Sequence, residues 1–168
     1  MVKKYEGLRN AYMEALLLGK DFSGCIDWAA GEAGKDGADG GLKALAAAER
    51  QDGKAIRRLA EEMLEDGAAE GELWAGRRIA ESARRYFDSE EGAGRLTAEI
   101  AALHSALGAP DWLSTLKRNA EFLADLPAYR EPFEAELKYL ARLWSHAGSS
   151  AEFRDAYDYR ISGRHELR

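Results

Sequence analysis

The sequence predicts an all-α fold: a single-domain bundle of about six to eight mostly antiparallel helices with no sheet. Three observations predict it. Ala and Leu number 31 and 20, whereas Val, Ile and Thr together number eight. β-branched side chains are the ones that pack well on a pleated sheet, so a sandwich, barrel or parallel-sheet domain lacks its raw material. Glu, Lys and Arg, strong helix formers like Ala and Leu, bring these five residue types to more than half of the chain. Apolar residues also recur at steps of three and four along nearly its whole length.

In order, a first helix is expected from Lys4 to Leu18, with Tyr5, Leu8, Tyr12, Ala15 and Leu16 on one face and Gly19 past its end. A short second helix starts at Asp21 or Ser23, aligning Phe22, Cys25, Ile26 and Ala29. These form an N-terminal helical pair, residues 1–30. Residues 31–41, GEAGKDGADGG, hold five Gly and no large side chain, which reads as a flexible loop. The main bundle, residues 42–148, opens with Leu42–Gln51 and Lys54–Asp66, a helix interrupted at Asp52-Gly53. Ala68–Phe87 follows with Leu73, Gly76, Ala80, Ala83 and Phe87 as its inward stripe, rich in small residues. Arg95–Leu107 repeats the pattern with Leu96, Ile100, Leu103 and Leu107. Pro110 and Asp111 open a helix to Leu126 that turns Leu113, Leu116, Ala120 and Leu123 inward. Pro132 sits in the first turn of a helix to His146, with Phe133, Leu137, Leu140 and Trp144 inward. Residues 149–168 form a short C-terminal helix and tail, started by the capping box Ser149-Ser150-Ala151-Glu152.

Charge and cysteine narrow the function classes. A net charge of −6 argues against broad attraction to nucleic acid or to an anionic membrane, although a local basic face remains compatible with it. No stretch nears the roughly 20 apolar residues needed to cross a bilayer. MVKKYEGLRN carries two lysines with no apolar run behind them, so no secretory signal is expected. Cys25 is the single cysteine, which fits a reducing compartment, with the cytoplasm as the default.

Catalytic constellations are sparse. The residues three before His104, His146 and His165 are Ala101, Leu143 and Ser162, none able to ligate a metal beside its histidine. Cys25 has no histidine tied to it, and no Gly-x-Ser-x-Gly turn occurs. Gly34-Lys35 lacks the other positions of a phosphate-binding loop, since Asp36 and Ala29 stand there. Helical nucleotide pyrophosphohydrolases hold magnesium with Glu-x-x-Glu and Glu-x-x-Asp; Glu62/Glu65 and Glu152/Asp155 match those spacings, with 86 residues between. Arg57 and Arg58, one turn before Glu61 and Glu62, offer a plainer explanation in a solvated ion-paired face.

The one concentrated signal is basic. Arg77 and Arg84 are seven apart, as are Arg78 and Arg85, which reads as an arginine stripe along one helix. Guanidinium forks suit carboxylates and phosphates alike. Tyr157, on a last helix too short to stand alone, is expected to dock on its own domain or on a second chain. The expectation is therefore a non-enzymatic helical interaction module, an adaptor, inhibitor, immunity-type protein or complex subunit. It would bind a protein partner through Arg77, Arg78, Arg84, Arg85 and Tyr157, with no cofactor and no membrane; a homo-oligomer is compatible with it. Two alternatives stand beside it: a magnesium- or manganese-dependent hydrolase using Glu62, Glu65, Glu152 and Asp155, and an anionic-ligand or nucleic-acid binder using the arginines, nucleic acid being the less favoured ligand.

Overall fold

The computed structural model describes residues 5–35, 38–64, 71–89 and 93–165, with 159–165 as backbone alone. The described residues form nine α-helices and no strand, an all-α helical bundle. By their contacts they gather into two compact units, Met1–Gly71 and Glu72–Arg168.

The first unit holds α1 (Glu6–Leu18), α2 (Ser23–Ala33), α3 (Gly40–Ala46) and α4 (Gly53–Leu64). α1 buries Leu8, Tyr12, Met13, Ala15 and Leu17, and Gly19 closes it at φ 68. The buried face differs from the expected one because Met13 and Leu17 join it and Leu16 is left half-buried. α2 contributes Cys25, Ile26 and Ala29 to this core, as the spacing predicts. Its helix continues to Ala33 and α3 begins at Gly40, so the segment between them is shorter than the glycine content suggests. Asp39 explains the early start: its carboxylate accepts the Leu42 amide at 2.8 Å and the Tyr5 hydroxyl at 2.8 Å. α3 stops at Ala46, five residues before the expected break, and Asp52 starts α4 by accepting the Ala55 amide at 3.0 Å. A Cβ built on Gly7 would lie 2.3 Å from Trp28 Nε1, so glycine is what lets that indole rest against α1.

The second unit contains α5 (Gly71–Asp88), α6 (Gly94–Ala106), α7 (Asp111–Asp125), a 3-10 turn at Pro127–Tyr129, α8 (Arg130–His146) and α9 (Ser150–His165). Phe133, Leu137, Leu140 and Trp144 are all buried, so the α8 stripe is the predicted one. α6 buries Leu96, Ile100 and Leu103, and α7 buries Leu113, Leu116 and Ala120 as expected, adding Trp112 and Asn119. Half of the expected capping box forms: Glu152 N donates to Ser149 Oγ at 3.1 Å, whereas the Glu152 carboxylate accepts the amide of Gly148, one residue before the cap, at 2.8 Å.

α5 departs from the expectation. Its buried residues are Ala75, Gly76, Ile79, Ser82 and Ala83, so the inward face is turned by about one residue. Leu73 and Ala80 are half-buried, and Phe87 is 39% exposed. Three contacts fix this rotation. The Trp144 ring lies against Gly76, where a Cβ would fall 2.0 Å from Cδ2. Arg78 Nε donates to Glu99 Oε1 of α6 at 2.7 Å, with both side chains largely shielded at 15% and 9% exposure. The Ser82 hydroxyl donates to the same Glu99 oxygen at 3.1 Å. A charged residue thus occupies the flank of the packed face, and the terminal aromatic is turned out.

The core of this unit is aromatic. Trp144 stacks on Phe153 with ring centres 3.7 Å apart and 7° between planes. Trp112 meets both edge-on, at 5.0 and 5.3 Å, and its indole N–H donates to Glu72 at 2.9 Å.

A cationic groove on the second unit

Gly76 lets the Trp144 ring of α8 lie against α5, and beside that contact the two helices bound an open groove of about 660 Å3. Trp144, Ala80, Ala83 and Ala141 line its apolar part, with Phe87 at one end. Its rim is basic: Arg77 and Arg84 from α5, Lys138 and Arg142 from α8, with Glu81 the one carboxylate lining it. The periodicity of each helix places them. Arg77 and Arg84 are two turns apart, about 10 Å along α5, and Lys138 and Arg142 one turn apart, about 6 Å along α8.

The rim cations are available. Among the described residues, no ion pair engages Arg77, Arg84, Lys138 or Arg142. Lys138 Nζ lies 4.7 Å over the Phe87 ring, a cation–π contact that holds the one exposed aromatic of α5 at the groove. Four cations against one carboxylate make a local positive region on a chain whose net charge is −6.

The four arginines of the expected stripe therefore separate, as successive helical positions 100° apart require. Arg77 and Arg84 line the groove. Arg78 is turned to Glu99, and Arg85 is exposed, with Nη2 donating to Ser82 Oγ at 3.2 Å. Tyr157 is half-buried, stacked against Phe153 of its own helix at 5.7 Å and against Tyr139 of α8 at 6.2 Å, and the second contact ties the last helix to its own unit. The sequence reading missed Lys138, Arg142 and Phe87. The basic pair has a visible four-residue spacing, but nothing in the sequence alone pairs α8 with α5.

The carboxylates of the hydrolase alternative are placed as follows. Glu62 is exposed on α4 and lies 3.8 Å from Arg58, the expected one-turn pair. Glu65 lies outside the described residues. Glu152 serves the α9 cap and Asp155 is exposed on the next turn. Among the described residues, no group of three or more His, Cys, Asp and Glu stands where it could hold a metal ion.

Other reactive groups are bound into packing. His104 Nε2 is 3.1 Å from Ser114 Oγ, whose own proton goes to the Pro110 carbonyl at 3.0 Å, so the imidazole is the donor there. His146 Nδ1 donates to the Arg142 carbonyl at 2.7 Å. Burial pushes the Cys25 thiol up to about 11, which leaves it protonated and unreactive near neutrality. In the first unit the Tyr12 hydroxyl donates to Glu61 Oε1 at 2.6 Å, and Arg57 Nε donates to the same oxygen at 2.8 Å. Burial first, then the Glu61 carboxylate, push the Tyr12 phenol up to about 12; the two hydrogen bonds hold Glu61 below the usual carboxylate range.

No helix among the described residues is long and apolar enough to cross a membrane. Comparison with protein-family models, with curated proteins and with solved structures returns no match.

Proposed function

We propose that this chain is a non-enzymatic helical interaction module that binds an acidic protein segment through the α5–α8 groove. The observation that carries the reading is the set of four cations without ion pairs among the described residues, arranged around an apolar floor with an exposed aromatic at its edge. Guanidinium and ammonium groups on such a rim select carboxylates and set orientation, while Phe87 and the alanines give a partner side chain somewhere to leave water. A lone, buried thiol suits a reducing compartment, and we place this activity in the cytoplasm.

The test uses a labelled acidic helical peptide, a polyphosphate and duplex DNA as probes, with Arg77→Glu/Arg84→Glu as the variant. Peptide binding should weaken by at least about tenfold, equivalent to 1.4 kcal/mol, while the circular dichroism melt stays in place. Both arginines are exposed, so the fold does not depend on them. Unchanged peptide binding overturns the proposal. Preference for DNA with a steep salt dependence would assign the groove to nucleic acid instead.

A further inference from the structure

We infer that a second copy of this chain supplies an occupant for the groove: the acidic–apolar end of α7, Glu121 to Leu126. This rests on the groove being a binding surface for carboxylates, and it adds where those carboxylates come from. Three large hydrophobic side chains are exposed among the described residues: Phe87 at 39%, Phe122 at 41% and Leu126 at 49%. One lies at the basic groove. The other two lie beside Glu121 and Asp125, both exposed.

The two surfaces match in spacing as well as in sign. Glu121 and Asp125 are one turn apart on α7, and Lys138 and Arg142 are one turn apart on α8, each about 6 Å along its axis. A row of two carboxylates can therefore meet a row of two cations with the helices running in either direction. The groove carries one carboxylate, Glu81, and Lys117 and Arg118 of α7 lie one turn before Glu121 and Phe122, so the complementary charge is confined to the segment Glu121 to Leu126 itself. Phe122 leans on Tyr129 with ring centres 4.7 Å apart, so its ring is held at the surface rather than folded away.

Asp125 gives an independent reason for a cation to arrive. It is the last residue of α7, at the negative end of the helix dipole, and no ion pair engages it among the described residues. Glu121 is paired with Lys117, but that carboxylate is 62% exposed, so exchanging one cation for another leaves no charge buried and alone. The chain's overall negative charge opposes self-association at long range, and local complementarity must overcome it within a Debye length of about 8 Å.

Sedimentation velocity and light scattering from low to high micromolar chain, at low and high salt, test this. The wild-type protein should self-associate, either as a closed pair or as a head-to-tail series, and dissociate as salt rises. Lys138→Glu/Arg142→Glu and Glu121→Lys/Asp125→Lys should each be monomeric, with self-association at least about tenfold weaker. An equimolar mixture of the two variants should associate again, because each then meets an opposite row. A wild-type monomer at all concentrations, or association that ignores both charge reversals, overturns the inference. Acidic-peptide binding measured on the same samples separates the outcomes. A monomer that still binds the peptide leaves the groove's role standing and removes only the second copy as occupant. Absence of peptide binding by the wild-type protein removes both.

Discussion

In the first unit Gly7 of α1 faces the Trp28 indole; in the second Gly76 of α5 faces Trp144. Both units thus use a missing Cβ to bring a tryptophan against a helix, yet the surroundings differ. Trp28 is half-buried and meets Tyr5 edge-on at 6.0 Å. Trp144 has no exposed surface and is enclosed by Phe153 and Trp112. Polar anchoring differs in the same sense. Arg78 and Glu99 are shielded in the second unit, whereas Arg57 and Glu61 remain about half exposed in the first, at 51% and 45%. The same local device is therefore locked in one place and yielding in the other, and substitutions should expose the gap.

The largest effect is expected from Trp144→Ala, which removes the centre of the aromatic cluster. Large-to-small changes of a buried aromatic cost about 3–5 kcal/mol, and urea melts should show a loss in that range. Trp144→Phe should be much milder than its lost area suggests, because the buried indole N–H has no hydrogen-bond partner among the described residues and its removal relieves that deficit. Equal losses for the two variants would mean that the N–H is satisfied in solution.

Gly76→Ala comes next. Ala is the better helix former by about 1 kcal/mol, but the new methyl would meet a ring that cannot move aside. Overpacking of a filled core costs about 1–3 kcal/mol, and the upper end is expected here. A neutral or stabilising result would show that the α5–α8 seam opens readily, and the groove beside it would then be a poor rigid platform.

Glu99→Gln tests the shielded pair. It leaves Arg78 facing a neutral amide, and a charged hydrogen bond in such a place contributes about 1.5–3 kcal/mol. About 2 kcal/mol is expected, against well under 1 kcal/mol for Glu62→Gln on the exposed face of α4, where surface pairs contribute little. Near-equal values would remove the distinction between the two kinds of ion pair.

How much of this was legible in the sequence follows from which forces decide each position. The α8 and α6 stripes were readable because large apolar residues sit on one face and nothing competes with them. α5 was not, because its face is set by a charge pair with α6 and by an indole from α8, partners that lie outside the helix's own sequence. Weighting Ile79 over the terminal Leu73 and Phe87 would have recovered the true face, since Ala75, Ile79, Ser82 and Ala83 follow the same three-and-four rhythm. The groove was half legible: Arg77 and Arg84 stood out by spacing, whereas Lys138 and Arg142 acquire meaning only beside them. Tyr157 and Phe153, one turn apart on α9, were readable as a pair on one face, whereas the stack of Tyr157 on Tyr139 of α8 is tertiary.

Tyr12→Phe probes the yielding side, with an expected loss of about 1 kcal/mol at neutral pH for one hydrogen bond. Its pH dependence carries more information. The unfolded chain releases the phenol proton near its ordinary value of 10, whereas the folded chain holds it to about 12. The fold therefore binds the extra proton between those values, so this contribution is complete below pH 10 and disappears as pH rises from about 10 to about 12. Cys25 adds a similar decline from its ordinary value of 9 to about 11. Glu61 acts oppositely: its depressed value adds stability above the ordinary carboxylate range, which is lost as pH falls. Denaturation followed across alkaline pH should show wild type falling more steeply than Tyr12→Phe above pH 10; parallel curves would remove the Tyr12–Glu61 bond from the account.

The smallest effect is expected from Gly7→Ala, and it is the sharpest test of the comparison with Gly76. Its Cβ would fall 2.3 Å from Trp28 Nε1, nearly as close as the clash at Gly76. Distance alone would therefore predict similar damage. The half-buried indole can, however, swing toward water at the loss of an edge contact with Tyr5, worth about 0.5–1.5 kcal/mol. Ala regains part of that through its helix preference, though Gly7 is only the second residue of α1 and the gain there is smaller. A net change within about 1 kcal/mol should appear in urea melts, set against the larger loss at Gly76. A loss at Gly7 as large as that at Gly76 would mean that Trp28 is as immobile as Trp144, and that accessible surface is the wrong measure of how far either ring can yield.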